Sequence, residues 1–254
     1  MAGQQVYLGN TLIYSENSFL GTMPVSFNND YQPVIPQNGL VAWYDASNPA
    51  SYPGIGSTWA DVSPSAGSGS IVGSPTFNST TKLFTFNGSS QRVDLTQIYS
   101  ASQQTYSYYV IASAADTNTK LVFGQGTESN NQRAFMIRVG SYFGFNGYNN
   151  DNNTAVLVFQ NQLKSIAFTM DTQAANQSEA IQFYVNGTFV STSGTGGGAT
   201  NLNMGTTAAR IASNAGNGEL FAGDIGVCIA YNRVLSAAEI TTINNYYATK
   251  YTLV

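Results

Sequence analysis

The sequence contains no histidine among its 254 residues. Histidine is the side chain whose ordinary pKa places its charge change near neutral pH, so its absence removes the commonest general base, the Ser-His-Asp arrangement and most zinc sites. Charged residues make up only 9% of the chain, well below the roughly one quarter that soluble domains usually carry. The polar surface must therefore come from Asn, Gln, Ser and Thr, which suits a protein that packs beside copies of itself or other subunits.

Positive charge is also scarce. The nine lysine and arginine residues are scattered singly and the net charge is −4, whereas nucleic acid requires a clustered basic surface, so we expect no nucleic-acid partner. No apolar run approaches membrane-spanning length, and the N-terminus lacks the basic and apolar regions of a secretory signal. The sequence therefore predicts no membrane segment and synthesis in a cytoplasm.

Short segments with the composition of β-strands recur along the chain, and no helical pattern separates them. Several of them alternate apolar and polar residues, so each has one face suited to a core. This pattern predicts an all-β fold, an antiparallel two-sheet jelly-roll sandwich. The expected strands in the middle of the chain are Thr105–Ala114, Lys120–Gly124, Arg133–Val139, Ser141–Phe145, Thr154–Phe159 and Lys164–Met170.

Two Asn-Gly pairs predict β-hairpins, because Asn-Gly suits the tight turns that match the twist of paired strands. The first, Asn87-Gly88, separates Lys82–Phe86 from Arg92–Leu95. The second, Asn186-Gly187, separates Ala180–Val185 from Thr188–Ser193. We expect each pair of segments to form neighbouring antiparallel strands of one sheet.

The stretch Asn38–Asp61 begins with an apolar strand at Leu40–Trp43 and then breaks into a long run of turn formers. A tryptophan among turn residues usually pins a loop through its buried ring, with its indole N–H bonded to a partner, and we expect this role for Trp59. Asp45 and Asp61 are expected to fix the turn and the loop before they become candidates for chemistry.

Another alternating segment, Glu219–Tyr231, lies close to the end of the chain. Ile225, Val227, Ile229 and Tyr231 are expected to face the core together, because alternate residues of a strand share a face. The one cysteine, Cys228, lies within this run and is interpreted as a core thiol, and the chain has no disulfide framework.

A helix signal follows that strand. Ser236 and Glu239 have the spacing of a capping box, in which each side chain bonds the backbone N–H of the other residue. Ile240, Ile243 and Tyr247 follow at helical spacing. We therefore expect one short C-terminal helix that packs on the sandwich.

Both ends of this pattern resemble a known family. NGLVAWYDASNPASYPGIGSTWAD at 38–61 and GDIGVCIAYNRVLSAAEI at 223–240 are similar to the two signatures of the laminin-G-like, concanavalin A-like jelly roll. The resemblance covers nearly all of residues 38–254, and it implies that Leu40–Trp43 runs near the closing strand at Asp224–Tyr231. The first signature resembles the form of this domain found in structural proteins of tailed bacteriophages, in capsid fibres, decoration proteins, tail fibres and baseplates. The same domain also occurs in bacterial surface proteins, and a fold does not define a function.

Residues 1–37 differ from the rest of the chain. They contain short possible strands at Gln5–Tyr7 and Thr11–Ile13, several prolines and no sustained periodicity. We interpret them as an extended N-terminal arm, followed by a laminin-G-like jelly-roll domain at 38–254. Either a neighbouring subunit or the flank of the arm's own domain would hold it in place.

Carboxylates remain as candidates for catalysis. Some glucanases that share this sandwich carry a Glu-x-Asp-x-x-Glu run, which places the acid and the nucleophile on one side of the sugar. This sequence has no such run. Its nearest pair, Glu219 and Asp224, is five residues apart, and that spacing sends the side chains of a regular strand to opposite faces. We therefore expect no enzyme activity, and a glycan hydrolase is the least favoured alternative.

A glycan site is one hypothesis for the segment near residue 148. Tyr142 and Tyr148 would stack on sugar rings, while Asn149, Asn150 and Asp151 would bond sugar hydroxyls. The alternative is that the aromatic side chains are simply part of the core.

A calcium site is a second hypothesis for the same segment, because many relatives of this domain bind calcium at one rim. Asp151, Asn149 and Asn153 would supply oxygen ligands. The alternative is a solvated Asn-rich turn, since Asn and Asp favour turns for backbone reasons alone. No other cofactor is expected.

These patterns together predict a non-enzymatic bacteriophage virion structural protein, a capsid decoration, fibre or tail component made in the host cytoplasm and displayed on the particle. Residues 1–37 would contact other virion proteins, and a homo-oligomer is expected. The alternative from a different class is a glycan-binding module for host adsorption, whose partner would be a host-surface glycan.

Overall fold

The computed structural model describes residues 35–116, 120–126, 160–171, 181–190 and 206–254 in full, together with the backbone of five further strands. The helix of these ranges, α1, is Ala237–Ala248. In chain order the strands are β1 (Gln5–Leu8), β2 (Thr11–Ser15), β3 (Leu40–Asp45), β4 (Thr58–Ala60), β5 (Ser68–Val72), β6 (Thr76–Asn78), β7 (Leu83–Asn87), β8 (Arg92–Asp94), β9 (Thr105–Ala114), β10 (Lys120–Leu121), β11 (Phe123–Gln125), β12 (Ile137–Val139), β13 (Tyr142–Phe145), β14 (Asn152–Leu157), β15 (Lys164–Asp171), β16 (Ile181–Val185), β17 (Thr188–Val190), β18 (Ala209–Ile211) and β19 (Ala222–Tyr231).

The chain divides into two compact units, Met1–Gln32 and Pro33–Val254. In the first unit β1 and β2 pair antiparallel, and they contain the two short strands expected in this region. In the second unit Ile35 is already buried in a core.

Two antiparallel sheets pack face to face in the second unit and confirm the predicted all-β sandwich. The five-stranded sheet has the order β11-β18-β8-β5-β4. The eight-stranded sheet has the order β17-β16-β15-β9-β19-β7-β6, with β3 also paired to β19. A four-stranded sheet, β10-β12-β13-β14, is linked to the five-stranded sheet by the chain itself, because only Val122 separates β10 from β11.

The apolar layer between the two large sheets is rich in aromatic rings. The Tyr108 ring lies 5.3 Å from that of Phe168 and 5.0 Å from that of Phe123, centroid to centroid. Burial of such large rings is a main source of folding free energy, and their edge-on and offset contacts add specificity.

Strand β3 and its loop behave largely as expected. β3 pairs antiparallel with β19, with Trp43 opposite Ile229, as the family resemblance implies. The loop returns to the strand because Asp61 Oδ1 accepts hydrogen bonds from the backbone N–H of Trp43 and of Ser63, both at 2.8 Å. Trp59 is completely buried as predicted. Its indole N–H, however, has no acceptor among the described residues, so the Trp59 side chain contributes through burial of its ring and not through the predicted hydrogen bond.

The two Asn-Gly turns have different outcomes. Asn186-Gly187 joins β16 and β17 in the predicted hairpin. The hairpin predicted at Asn87-Gly88 is wrong, since β7 belongs to the eight-stranded sheet and β8 to the five-stranded sheet. Asn87 Oδ1 accepts the N–H groups of Ser89 and Ser90, so the asparagine caps a crossing between the sheets rather than a two-residue turn.

Strand β19 corrects one detail of the predicted pattern. Ile225 packs between the two sheets, whereas Val227, Ile229 and Tyr231 pack on the opposite side of the strand. The register shifts between Ile225 and Val227, so the strict alternation that would place all four on one face is broken there. Cys228 is buried as predicted, and burial raises the pKa of its thiol well above the ordinary value.

Helix α1 confirms the C-terminal prediction. The Ser236 side chain accepts a hydrogen bond from the Glu239 N–H, and the Glu239 carboxylate accepts one from the Ser236 N–H at 2.9 Å. Ile240, Ile243 and Tyr247 form its buried face on the eight-stranded sheet. Within the described ranges no helix has both the length and the apolar character needed to cross a membrane.

Candidate functional site

The outer surfaces of the two large sheets differ in what lies on them. Helix α1 packs on the eight-stranded sheet and buries apolar side chains such as Tyr109, Ile111 and Val227. The outward side chains of β4, β5, β8 and β18 in the five-stranded sheet are exposed or half-buried, whereas all three residues of β11 are buried. We call the outward positions Thr58, Ser70, Arg92, Asp94 and Arg210 the open face.

The open face is organised by strand pairing. Thr58 pairs with Ser70, Ser70 with Asp94, Asp94 with Arg210, and Arg210 with Gly124. One row of paired residues therefore crosses all five strands and consists of Thr58, Ser70, Asp94, Arg210 and Gly124. Arg92 lies beside this row, two residues from Asp94 on the same strand. Successive residues of a strand alternate between faces, so neighbours such as Val93 and Ile211 point into the core and give the row its rigid base.

Asp94 joins two arginines on this face. Arg92 makes a bidentate contact, with Nε 2.9 Å from Asp94 Oδ1 and Nη2 3.2 Å from Oδ2. Arg210 Nε lies 3.1 Å from the same Oδ1. The side chains are only partly covered, with exposed fractions of 21% for Arg92, 16% for Arg210 and 36% for Asp94. Planar guanidinium groups that share a carboxylate hold each other in a fixed orientation.

Arg210 also anchors the turn after β18. Its Nη1 donates to the Asn214 carbonyl at 3.2 Å and to the Asn217 side-chain oxygen. The Asn214 side chain in turn accepts the Gly218 N–H at 2.7 Å. Burial lowers the pKa of the Arg210 guanidinium, and the adjacent Asp94 opposes this shift, so the group stays charged near neutral pH.

A second polar cluster lies between helix α1 and strand β3. The Trp43 indole N–H donates to the Tyr247 hydroxyl at 2.7 Å, and that hydroxyl donates to Asp45 Oδ2 at 3.2 Å. Lys250 Nζ is 3.8 Å from the same carboxylate oxygen. Burial, with Asp45 close by, raises the pKa of Tyr247, so its hydroxyl stays a neutral donor. These hydrogen bonds link helix α1 to strand β3. A cavity of about 380 Å³ beside them is lined by residues 248–253.

The carboxylates are committed to partners within the fold. Asp45 and Asp61 bond backbone and hydroxyl groups as predicted, and Asp224 accepts the Thr85 hydroxyl at 2.5 Å. Asp94 and Glu239 accept hydrogen bonds from arginine side chains. Glu219 precedes β19 rather than lying on it, so the strand-spacing argument used for Glu219 and Asp224 does not apply. In the described ranges no group of three or more His, Cys, Asp or Glu side chains could hold a metal ion.

Two of the predicted glycan and calcium residues lie in strands of the four-stranded sheet. Tyr142 begins β13 and Asn153 is in β14, and only their backbone is described. Tyr148, Asn149, Asn150 and Asp151 lie outside the described residues. Both sites therefore stay predictions.

The open face was not found from sequence patterns. Arg92-Val93-Asp94 and Ala209-Arg210-Ile211 do carry a signal, a charged residue on one face of an apolar strand in a chain with few charges. The pairing of β8 with β18 connects residues more than a hundred positions apart, and local patterns do not encode it.

One known protein family matches this chain. The family described as the concanavalin A-like lectin/glucanases superfamily, Laminin_G_3, matches residues 87–241, more than half of the chain. No curated protein matches the sequence.

Solved structures share the fold at low sequence identity. A sialidase of Trypanosoma rangeli superposes with a TM-score of 0.61 at 16% identity, over 86% of this chain and 34% of the sialidase. Botulinum neurotoxin type C, which depends upon interaction with two ganglioside molecules to enter cells, gives 0.58 at 11% identity, over 82% of this chain and 51% of that one. The binding domain of botulinum neurotoxin DC, in complex with rat synaptotagmin II, gives 0.58 at 13% identity, with the same coverage. The chain thus spans about a third of the sialidase and half of the toxin chains.

Proposed function

The chain belongs to the concanavalin A-like lectin/glucanase superfamily, and we propose that it is a non-enzymatic structural protein of a bacteriophage particle. It displays the jelly-roll sandwich on the particle and is made in the host cytoplasm. Residues 1–37 attach it to other virion proteins, and several copies assemble together as a capsid decoration, fibre or tail component.

The observation that carries this proposal is the division of the chain into Met1–Gln32 and Pro33–Val254. A small unit that is compact apart from the sandwich is suited to attachment, because it can bind a partner without disturbing the sandwich core. The low fraction of charged residues, 9%, also favours a protein whose surface lies against other subunits.

The absence of enzyme activity is part of the proposal. The histidine-free sequence has no imidazole for acid–base work. In the described ranges several carboxylates bond backbone, hydroxyl or guanidinium groups, for example Asp94 between Arg92 and Arg210. We expect no release of reducing sugar from bacterial surface glycans by the purified chain.

The test of the structural role compares two tagged forms of the chain, residues 1–254 and residues 33–254, each supplied during infection by the phage that encodes it. We expect gold-labelled antibody against the sandwich to mark purified particles that carry the full chain, and particles from the truncated form to stay unmarked. Circular dichroism of both forms checks that the sandwich is folded. Absence of the full chain from washed particles would contradict the proposal.

A glycan-binding module for host adsorption is the second candidate, and the open face favours it. Hydroxyl, carboxylate and guanidinium groups held rigidly in one row are the polar groups that bind sugar hydroxyls. Neighbours of the same fold include a sialidase in complex with sialic acid and a neurotoxin that interacts with gangliosides. The predicted site at Tyr142, Tyr148, Asn149, Asn150 and Asp151 belongs to this candidate.

A glycan array probed with the full chain, with calcium and with a chelator, tests the second candidate. Binding in both conditions would support a glycan site that needs no metal. Loss of binding with the chelator would support calcium at Asp151, Asn149 and Asn153. No bound glycan in either condition would contradict the candidate and leave the structural role as the remaining function.

A further inference from the structure

The open face carries an imbalance of charge at its centre. Arg92 and Arg210 share one carboxylate, that of Asp94, so two positive charges meet one negative charge in a chain whose net charge is −4. Two other ion pairs, Arg233 with Glu239 and Lys250 with Asp45, each match one cation to one carboxylate. The open face is therefore where an additional anionic group is best accommodated.

The row also has a definite length. Neighbouring strands lie about 4.8 Å apart, so the three steps from Thr58 through Ser70 and Asp94 to Arg210 span about 14 Å. One strand spacing is close to the length of one sugar unit in an extended polysaccharide. A linear chain laid across the strands would thus meet a new polar group at each unit.

We propose that the open face binds a linear, uronate-bearing polysaccharide across its strands, with a sugar carboxylate at Arg92 and Arg210 and sugar hydroxyls at Asp94, Ser70 and Thr58. This inference rests on the second candidate function and names its ligand class. The donor for the sugar carboxylate is Arg92 Nη1, which takes no part in the bidentate contact with Asp94. Arg210 contributes its positive charge, since its Nη1 already donates to Asn214 and Asn217. The carboxylate oxygens of Asp94 accept hydrogen bonds from ring hydroxyls. The positive charges of the two arginines offset the negative charge of Asp94, so it does not repel the sugar carboxylate.

The test uses a short linear oligomer of galacturonic acid and the same oligomer with its carboxyl groups reduced to alcohols. Calorimetry with the full chain is expected to show binding of the acidic oligomer and at least about tenfold weaker binding of the neutral one, the equivalent of about 1.4 kcal/mol. Added salt should weaken only the first interaction, because salt screens charge pairs.

Three variants locate the site. Arg92→Gln removes one guanidinium and should lower affinity for the acidic oligomer by about tenfold. Ser70→Trp leaves both arginines in place but fills the row with a bulky ring on an exposed strand position, and should abolish binding. Lys82→Gln removes one positive charge from the exposed turn before β7 and should leave binding unchanged.

Equal binding of the two oligomers, or unchanged binding by both Arg92→Gln and Ser70→Trp, would overturn the proposal. Failure to bind the acidic oligomer at all would also overturn it. In that case a neutral glycan found on the array would keep the second candidate function intact, while an empty array would remove both.

Discussion

On both outer surfaces of the sandwich, side chains alternate between inward and outward positions, but the outward side chains of the two surfaces differ in burial. On β9 both faces are buried and carry apolar side chains such as Tyr108 and Ile111, because the second sheet covers one face and helix α1 covers the other. On β8 the inward Val93 is apolar while Arg92 and Asp94 face outward. A strand that is apolar on both faces thus indicates a covered surface, whereas a charged outward row indicates a surface left for contact with solvent or a partner.

The covered surface holds the fold together, and the open face is available for recognition. This contrast is tested by substituting residues on each surface in turn and comparing the free energies of unfolding of the variants. The expected effects run from the centre of the helix contact to the ion pair at the helix N-terminus.

Tyr247→Ala should have the largest effect. The Tyr247 ring is completely buried and stacks on Tyr109 with 5.9 Å between centroids. Loss of such a ring should cost about 3–5 kcal/mol. Ser70→Ala on the open face should change stability by less than about 0.5 kcal/mol. Urea denaturation of both variants measures the difference, and equal costs would break the contrast between the two surfaces.

Gly187→Ala should have the next largest effect, because this turn lies against the helix. Gly187 has a φ of +75°, and an added Cβ would lie 2.9 Å from the Cβ of Asn244. A left-handed backbone alone costs an L-residue about 1–2 kcal/mol. Gly56→Ala, at φ +101° with nothing within 4 Å, serves as the control for backbone strain without a clash. The difference between their thermal unfolding midpoints measures the helix contact, and a Gly56 variant that is the less stable of the two would contradict it.

Arg210→Lys tests how much the open face contributes to stability. Lysine keeps the charge but cannot reach Asp94, Asn214 and Asn217 together, so we expect a loss of about 1 kcal/mol. Lys82→Arg is the matched control, and its stability should be unchanged. A loss as large as that of Tyr247→Ala would mean that the open face is also a structural centre.

Acid should have the smallest of these effects on the free energy of unfolding. The hydrogen bonds from Arg233 hold the pKa of Glu239 at about 2, below its ordinary value of 4.5. Because the folded-state pKa is lowered, this stabilisation is fully present above pH 4.5 and is lost as the pH falls through the range from 4.5 to 2. Solvent screens the partly exposed pair, so the effect should be small. In Glu239→Gln the unfolding midpoint should depend less on pH in this range, and an unchanged dependence would contradict the assignment.

The features that sequence reasoning found are those that local chemistry encodes. The Ser236–Glu239 capping box and the Asn186-Gly187 hairpin need only neighbouring residues, and both form as predicted. Asn87-Gly88 has the same local signal and a different outcome, because Phe86 and Val93 on either side of it belong to opposite sheets that share one core. Short-range patterns cannot distinguish a turn within a sheet from a crossing between sheets.

The open face shows the same limit more strongly. Nothing near Arg92 in the sequence indicates that Arg210 lies beside it, since β18 returns to β8 only after the chain has built most of the other sheet. The sequence patterns predict strands at Arg133–Val139, Ser141–Phe145 and Thr154–Phe159, but not a separate four-stranded sheet. In that sheet β12, β13 and β14 pair as neighbours along the chain.

The residues just before β3 are hydrogen-bonded to the segment that follows β19. There Arg233 Nε donates to the Asn38 carbonyl at 2.8 Å, and the Asn232 N–H donates to the Gly39 carbonyl at 2.8 Å. Arg233 is in turn bound to Glu239 at the first turn of helix α1. A pull applied at Asn38 or Gly39 would therefore act on both strand β19 and helix α1.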